Sequence, residues 1–168
     1  MIKKLKVLLI LCLSLSVLLL AVSCGEYRVV EFENLSFSIP KKMRKTADEK
    51  FDICYTTMEC MLGVQIITEE ILSVMELSSE ATLEEVTDAF ITRNGIDKNQ
   101  CSLSYDENAE AYKLRYSISF DGEAYYFHYI VIIGEGKNMY FVDMSCDYEN
   151  SSYYLIEFEK WGKTVSLK

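Results

Sequence analysis

The stretch from residue 111 to 133 constrains the fold most. Tyr112, Leu114, Tyr116, Ile118 and Phe120 alternate with Lys113, Arg115, Ser117 and Ser119. A period of two marks a half-buried strand, because successive side chains point to opposite faces. Asp121-Gly122 follows, a dipeptide suited to a tight hairpin turn. A two-residue turn there sets Ile118 opposite Tyr125, Tyr116 opposite Phe127 and Leu114 opposite Tyr129, so that all of these share one apolar face. Residues 130–133 are apolar throughout, as expected of a central strand covered on both sides. Residues 134–138 turn the chain, and 139–146 return as the next strand. An antiparallel meander is the expected framework.

Around it the remaining elements fall into place. Val29–Phe32 and the alternating Leu35, Phe37 and Ile39 predict a hairpin turning at Glu33-Asn34, with Pro40 ending its second strand. The charged residues 41–50 read as a loop or one helical turn, and 51–68 as one or two strands around 58–63. Residues 69–77 fit a helix or a strand continuation. Thr82 with Glu85 is a capping-box pattern, and Asn94-Gly95 is a stop, so 82–94 is the clearest helix. Leu83, Val86, Ala89 and Phe90 lie along its apolar side. A last helix runs from Ser151 or Ser152 to about Trp161 with Leu155 and Phe158 inward, then a short strand over 164–167. The expected class is α+β: a mostly antiparallel sheet with helices on both faces.

The first residues are an address rather than part of that domain. Lys3, Lys4 and Lys6 precede sixteen residues, 7–22, that are apolar except for Ser14 and Ser16. About 20 apolar residues are needed to span a bilayer, so this run suits the core of a signal peptide. It ends in Ala21-Val22-Ser23-Cys24, which resembles a bacterial lipobox, with Ala21 where Leu is more usual. The resemblance implies that residues 1–23 are removed, that the Cys24 thiol carries diacylglycerol, and that 24–28 tether a single domain, 29–168. It implies a protein lipid-anchored to a bacterial membrane and facing outside the cytoplasm. Cys12 leaves with the leader. From Cys24 on, the chain has 145 residues and a formal charge of −12, because the three Lys of the leader are gone. That charge predicts solubility and repulsion from anionic lipid, so that the acyl chains must do the holding. It also argues against nucleic acid as a partner.

The opening Phe37-Ser38-Ile39-Pro40, the Thr-capped middle helix, the Tyr-rich meander and the closing helix together resemble small PsbP-like domains, including DcrB-like lipoproteins. The resemblance covers nearly all of the chain after Cys24. It implies an α/β/α sandwich and roles in interaction or assembly more than catalysis. It carries over no functional residues and implies no cofactor.

Reaction motifs are scarce. Ser38-Ile39-Pro40-Lys41 has SxxK spacing, but it falls at a strand end with Pro between, not on the helical turn the chemistry needs. Gly134–Lys137 resembles a phosphate loop with no helix after it, so it reads as a hairpin turn. A single His excludes multi-His zinc sites. Glu80, Glu84, Glu85 and Asp88 read as a solvated helix face, and Asp106-Glu107-Asn108 with Glu110 as a turn without calcium-loop spacing.

One constellation follows from the two-residue turn. It sets Arg115 opposite His128 and Ser117 opposite Tyr126, with Lys113 alongside, where an anion or carboxylate would find a fork of donors. The competing expectation is that these side chains cover an amphipathic sheet face with their stems under the last helix. Of twelve Tyr most alternate inward, and Tyr153 and Tyr154 are the expected exposed pair. Cys54, Cys60, Cys101 and Cys146 permit two disulfides in three pairings, or none. The expectation is therefore a non-enzymatic lipoprotein binding an envelope protein partner. The alternatives are a small anionic-ligand carrier using Lys113, Arg115, Tyr126 and His128, and a hydrolase without a familiar signature.

Overall fold

The computed structural model describes residues 26–120 and 124–168. The leader, Cys24 and the Asp121-Gly122 turn lie outside the described residues.

The chain opens with a hairpin, β1 (Tyr27–Phe32) and β2 (Leu35–Pro40), turning at Glu33-Asn34 as expected, with Phe32 paired to Leu35. Glu33 adopts φ 51° there. β3 (Arg44–Thr46), β4 (Ile53–Thr56) and β5 (Cys60–Ile66) form a second antiparallel run. β3 lies where the sequence predicts a loop or a helical turn; a three-residue strand is set by pairing with β4, not by its own charged residues.

Two helices follow, α1 (Glu69–Val74) and α2 (Leu83–Arg93). The capping box of α2 is complete: Thr82 Oγ1 accepts from the Glu85 N–H, and the Glu85 carboxylate accepts from the Thr82 N–H. Asn94 caps its other end and Gly95 takes the left-handed φ of 62°. The meander is β6 (Ser102–Asp106), β7 (Ala111–Phe120), β8 (Ala124–Glu135) and β9 (Asn138–Asp147), and α3 (Ser151–Gly162) and β10 (Ser166–Leu167) close the chain.

These strands form two sheets, where the sequence suggested one. The large sheet has the order β3-β4-β5-β9-β8-β7-β6, and β1-β2-β10 stand apart because β10 takes the free edge of β2. After β5 the chain passes through α1 and α2 to the far edge, then meanders back until β9 meets β5.

β8 is the pivot, and its apolar run feeds two cores. Tyr129, Val131 and Ile133 cluster with Tyr154, Phe158 and Trp161 of α3 and with Leu35, Phe37 and Ile39 of the small sheet. Ile130 and Ile132 cluster with Leu72 of α1 and with Val86 and Ile91 of α2. α3 can lie this close because Gly162 has no side chain: a Cβ there would sit 2.8 Å from Tyr129 Cε1. Its inward face is Tyr154, Phe158 and Trp161, while Leu155 is only partly buried. Tyr154 is thus core, correcting the expectation that it is exposed with Tyr153.

The β7–β8 register also differs from expectation. Phe120 pairs with Ala124, Ile118 with Tyr126, Tyr116 with His128 and Leu114 with Ile130. Three residues, not two, separate the paired strands. A one-residue slip moves every partner to the other face. The alternation of 125–129 did not exclude it, because Tyr126, His128 and Ile130 can cover a face as well as Tyr125, Phe127 and Tyr129.

Candidate functional site

The slip decides where the expected anion site goes. Arg115 faces Tyr129 and Lys113 faces Val131, on the side of α3. Tyr126 and His128 lie on the opposite side with Ile118 and Tyr116. The four residues are therefore not brought together. The two cations are already engaged. Arg115 donates to Glu159 Oε1 of α3 at 3.3 Å and to Ser102 Oγ at 2.9 Å. Lys113 donates to Asp106, which holds that carboxyl below its ordinary range. Arg115 is thus held against the last helix and Lys113 against β6.

His128 instead stands where the large sheet runs on beyond α1 and α2. Its Nδ1 meets Asp143 Oδ1 at 3.0 Å and Oδ2 at 3.1 Å. Tyr116, its partner on β7, stacks on the imidazole with centroids 4.9 Å apart and planes 6° from parallel. Ser145, its partner on β9, is buried. Burial pushes the Tyr116 phenol well above its usual range, and the Asp143 charge adds to the shift. Phe51 closes one flank by lying over Gly63, where a Cβ would meet its ring at 2.5 Å. Cys54, opposite Gly63, has its thiol pushed up by burial.

His128, Asp143, Ser145 and Phe51 border a cleft of about 600 Å³ whose rim includes Met58 and Glu59 of the β4–β5 turn. Asp48, Glu59, Asp143 and Asp147 line it against Lys50 and His128. The cleft is thus acidic and suits a basic ligand group better than an anion. With Nδ1 held by Asp143, Nε2 is the ring nitrogen left for a ligand, as acceptor when neutral and donor when protonated. Ser145 lies directly across from the imidazole, but no hydrogen bond joins the two among the described residues. Such a bond is what activates a hydroxyl nucleophile. No group of three or more His, Cys, Asp or Glu side chains among the described residues is arranged to hold a metal.

Sequence reasoning found His128 and Tyr126 but missed Asp143. The available signal was its position as the sole charge between Met139 and Cys146, in a strand otherwise largely buried. Among the described residues the four cysteines, Cys54, Cys60, Cys101 and Cys146, are free thiols. Cys60 and Cys146 are cross-strand partners in one core, while Cys54 faces the cleft side and Cys101 lies after α2. Burial pushes the Cys146 thiol up to about 12.

With this geometry the chain can be compared with known proteins. No family model and no curated protein matches it. Among solved structures, PsbP from the cyanobacterium Synechocystis sp. PCC 6803 superposes with a TM-score of 0.54 at 14% identity, over 86% of this chain and 97% of that one. The fold is PsbP-like. A protein from Bacteroides thetaiotaomicron VPI-5482 gives a TM-score of 0.49 at 12% identity, over 86% of this chain and 48% of that one. LpqN of Mycobacterium tuberculosis, described as involved in cell envelope biogenesis, gives 0.39 at 12% identity, over 84% and 90% of the two chains. Those two scores fall below the level that shows a shared fold. The PsbP-like domain of this chain contains no helix, among its described residues, that is long and apolar enough to cross a membrane.

Proposed function

We infer that the chain is a lipid-anchored protein on the outer side of a bacterial membrane, whose PsbP-like domain binds a protein partner in the cell envelope without catalysing a reaction. The α/β/α layering belongs to the same reading and is supported by the two cores that take alternate residues of β8. The order of basic, apolar and small residues before Cys24 supports the anchor.

One observation carries the binding reading. The end of the large sheet that holds the acidic cleft also exposes Met58, Tyr125 and Tyr148, the two rings 5.8 Å apart. Met and Tyr are enriched where proteins meet; Met58 stands on the rim of the cleft itself, and Tyr125 and Tyr148 lie at the same end of the sheet. The partner is a segment that offers basic side chains to Glu59 and Asp147 and apolar ones to Met58.

A photoreactive residue in place of Met58 tests this in cells. It yields one discrete crosslinked species, lost in Glu59→Lys/Asp147→Lys, while the same probe in place of Glu107 yields none. Equal crosslinking from both positions, or from neither, overturns the binding reading. Replacing Cys24 by Ser tests the anchor separately: the acyl mass and detergent-phase partitioning disappear together, and retention of both refutes it.

A further inference from the structure

The domain's cations are segregated. After residue 25 there are fourteen Lys and Arg. Among the described residues, Arg93, Lys98, Lys113, Arg115, Lys137, Lys160 and Lys168 each sit beside a carboxylate. Of the other seven, all but Lys163 fall between residues 28 and 50. Four of these, Lys41, Lys42, Arg44 and Lys45, crowd into five positions around buried Met43, and all four are exposed.

That run is fastened to the start of the domain. The Lys41 N–H donates to the Glu26 carbonyl at 2.8 Å, and Arg28 Nη2 donates to the Met43 carbonyl at 2.9 Å. Cys24 precedes Glu26 by two residues, a reach of about 7 Å even when fully extended. Beside Lys42 lies a hollow of about 400 Å³ lined by Tyr27, Tyr153, Glu26 and Glu157 and floored by buried Trp161, and Tyr153 is 62% exposed. Tyr is a side chain that settles at the level of lipid headgroups, and exposed Tyr153 is placed to do so. The start of the domain is thus fastened to the densest run of cations in a chain that is otherwise strongly acidic.

We propose that Lys41, Lys42, Arg44 and Lys45 form a collar that docks on the anionic phospholipid headgroups of the bilayer in which Cys24 is anchored. The proposal rests on the anchor reading above. It also revises the expectation that net charge makes the domain shun anionic lipid. Charges within a Debye length of about 8–10 Å of the surface feel its potential, so the local run of cations next to the tether counts for more than the net charge of the whole chain. The collar fixes how the domain stands on the membrane, while the acyl chains supply the hold.

The test uses the full acylated protein reconstituted in phosphatidylcholine vesicles, with and without phosphatidylglycerol. A water-soluble amine-acylating reagent marks each Lys, and mass spectrometry reads the sites. Lys41, Lys42 and Lys45 should label about fivefold more slowly on the phosphatidylglycerol vesicles, with Lys98 and Lys163 unchanged, and molar salt should abolish the difference. If the protein sediments with both vesicle types but its lysines label alike on both, the collar is refuted and the anchor stands. If it sediments with neither, the anchor itself fails and the collar with it.

Discussion

Raising the pH above 10 should unfold this domain, and the buried tyrosines set the slope. Tyr129 is held between β8 and α3, and burial pushes its phenol from the ordinary 10.0 up to about 12. Tyr116, beneath the His128 ring, is pushed up further by the same cause. A raised folded-state value means that the native form keeps a proton the unfolded chain releases. The stabilisation is whole below pH 10 and drains as pH climbs toward the folded value. Each such group costs about 1.4 kcal/mol per pH unit in that window, so the two phenols cost about 3 kcal/mol per unit. Cys146, raised from 9.0 to about 12, adds a similar slope from pH 9 upward. Native stabilities are roughly 5–15 kcal/mol, so these groups remove a large share by pH 11. Absorbance at 295 nm should show the buried phenols ionising in one cooperative step above pH 10 that coincides with loss of far-ultraviolet dichroism. Tyr129→Phe removes one titrating group and should move that step to higher pH. A single smooth titration of all twelve tyrosines near pH 10, with dichroism intact, would refute the reasoning.

Phe158 is fully buried and stacks on Phe127 while touching Tyr154 and Trp161, so Phe158→Ala should cost about 3–5 kcal/mol in urea unfolding. A loss below about 1 kcal/mol would place α3 off the sheet. Native alkylation near pH 8 should modify partly exposed Cys101 first and Cys146 last, because only thiolate reacts; peptide mapping that finds Cys146 fastest contradicts its burial.

Features written in neighbouring residues were legible in the sequence. The β1–β2 hairpin needed only alternation around Glu33-Asn34, and α2 needed only its Thr82–Glu85 box and Asn94-Gly95 stop. Features set by distant partners were not. β3 exists because β4 pairs with it. The phase of α3 was readable in principle, since Tyr154, Phe158 and Trp161 recur at helical spacing, but neighbouring Leu155 competes for the same stripe. The candidate site suffered most. Its make-up hung on a single register, and the strand offered apolar side chains to both faces, so periodicity lost its power to choose. Asp143 then joined His128 from β9, a strand the hairpin argument never consulted.

The chain enters its domain through β1, an edge strand joined to β2 alone. Residue 26 stands at the open mouth of that hairpin, with the turn at the far end. A sideways pull on the amino end therefore meets the ladder as a zipper, rung by rung, rather than as a lap joint sharing the load. The Tyr27 hydroxyl's bond to Glu157 and the Lys41 bond to Glu26 are the first latches in that line. A domain of this build, pulled by its amino end, yields at its leading strand under modest tension while β4, β5, β8 and β9 stay shut.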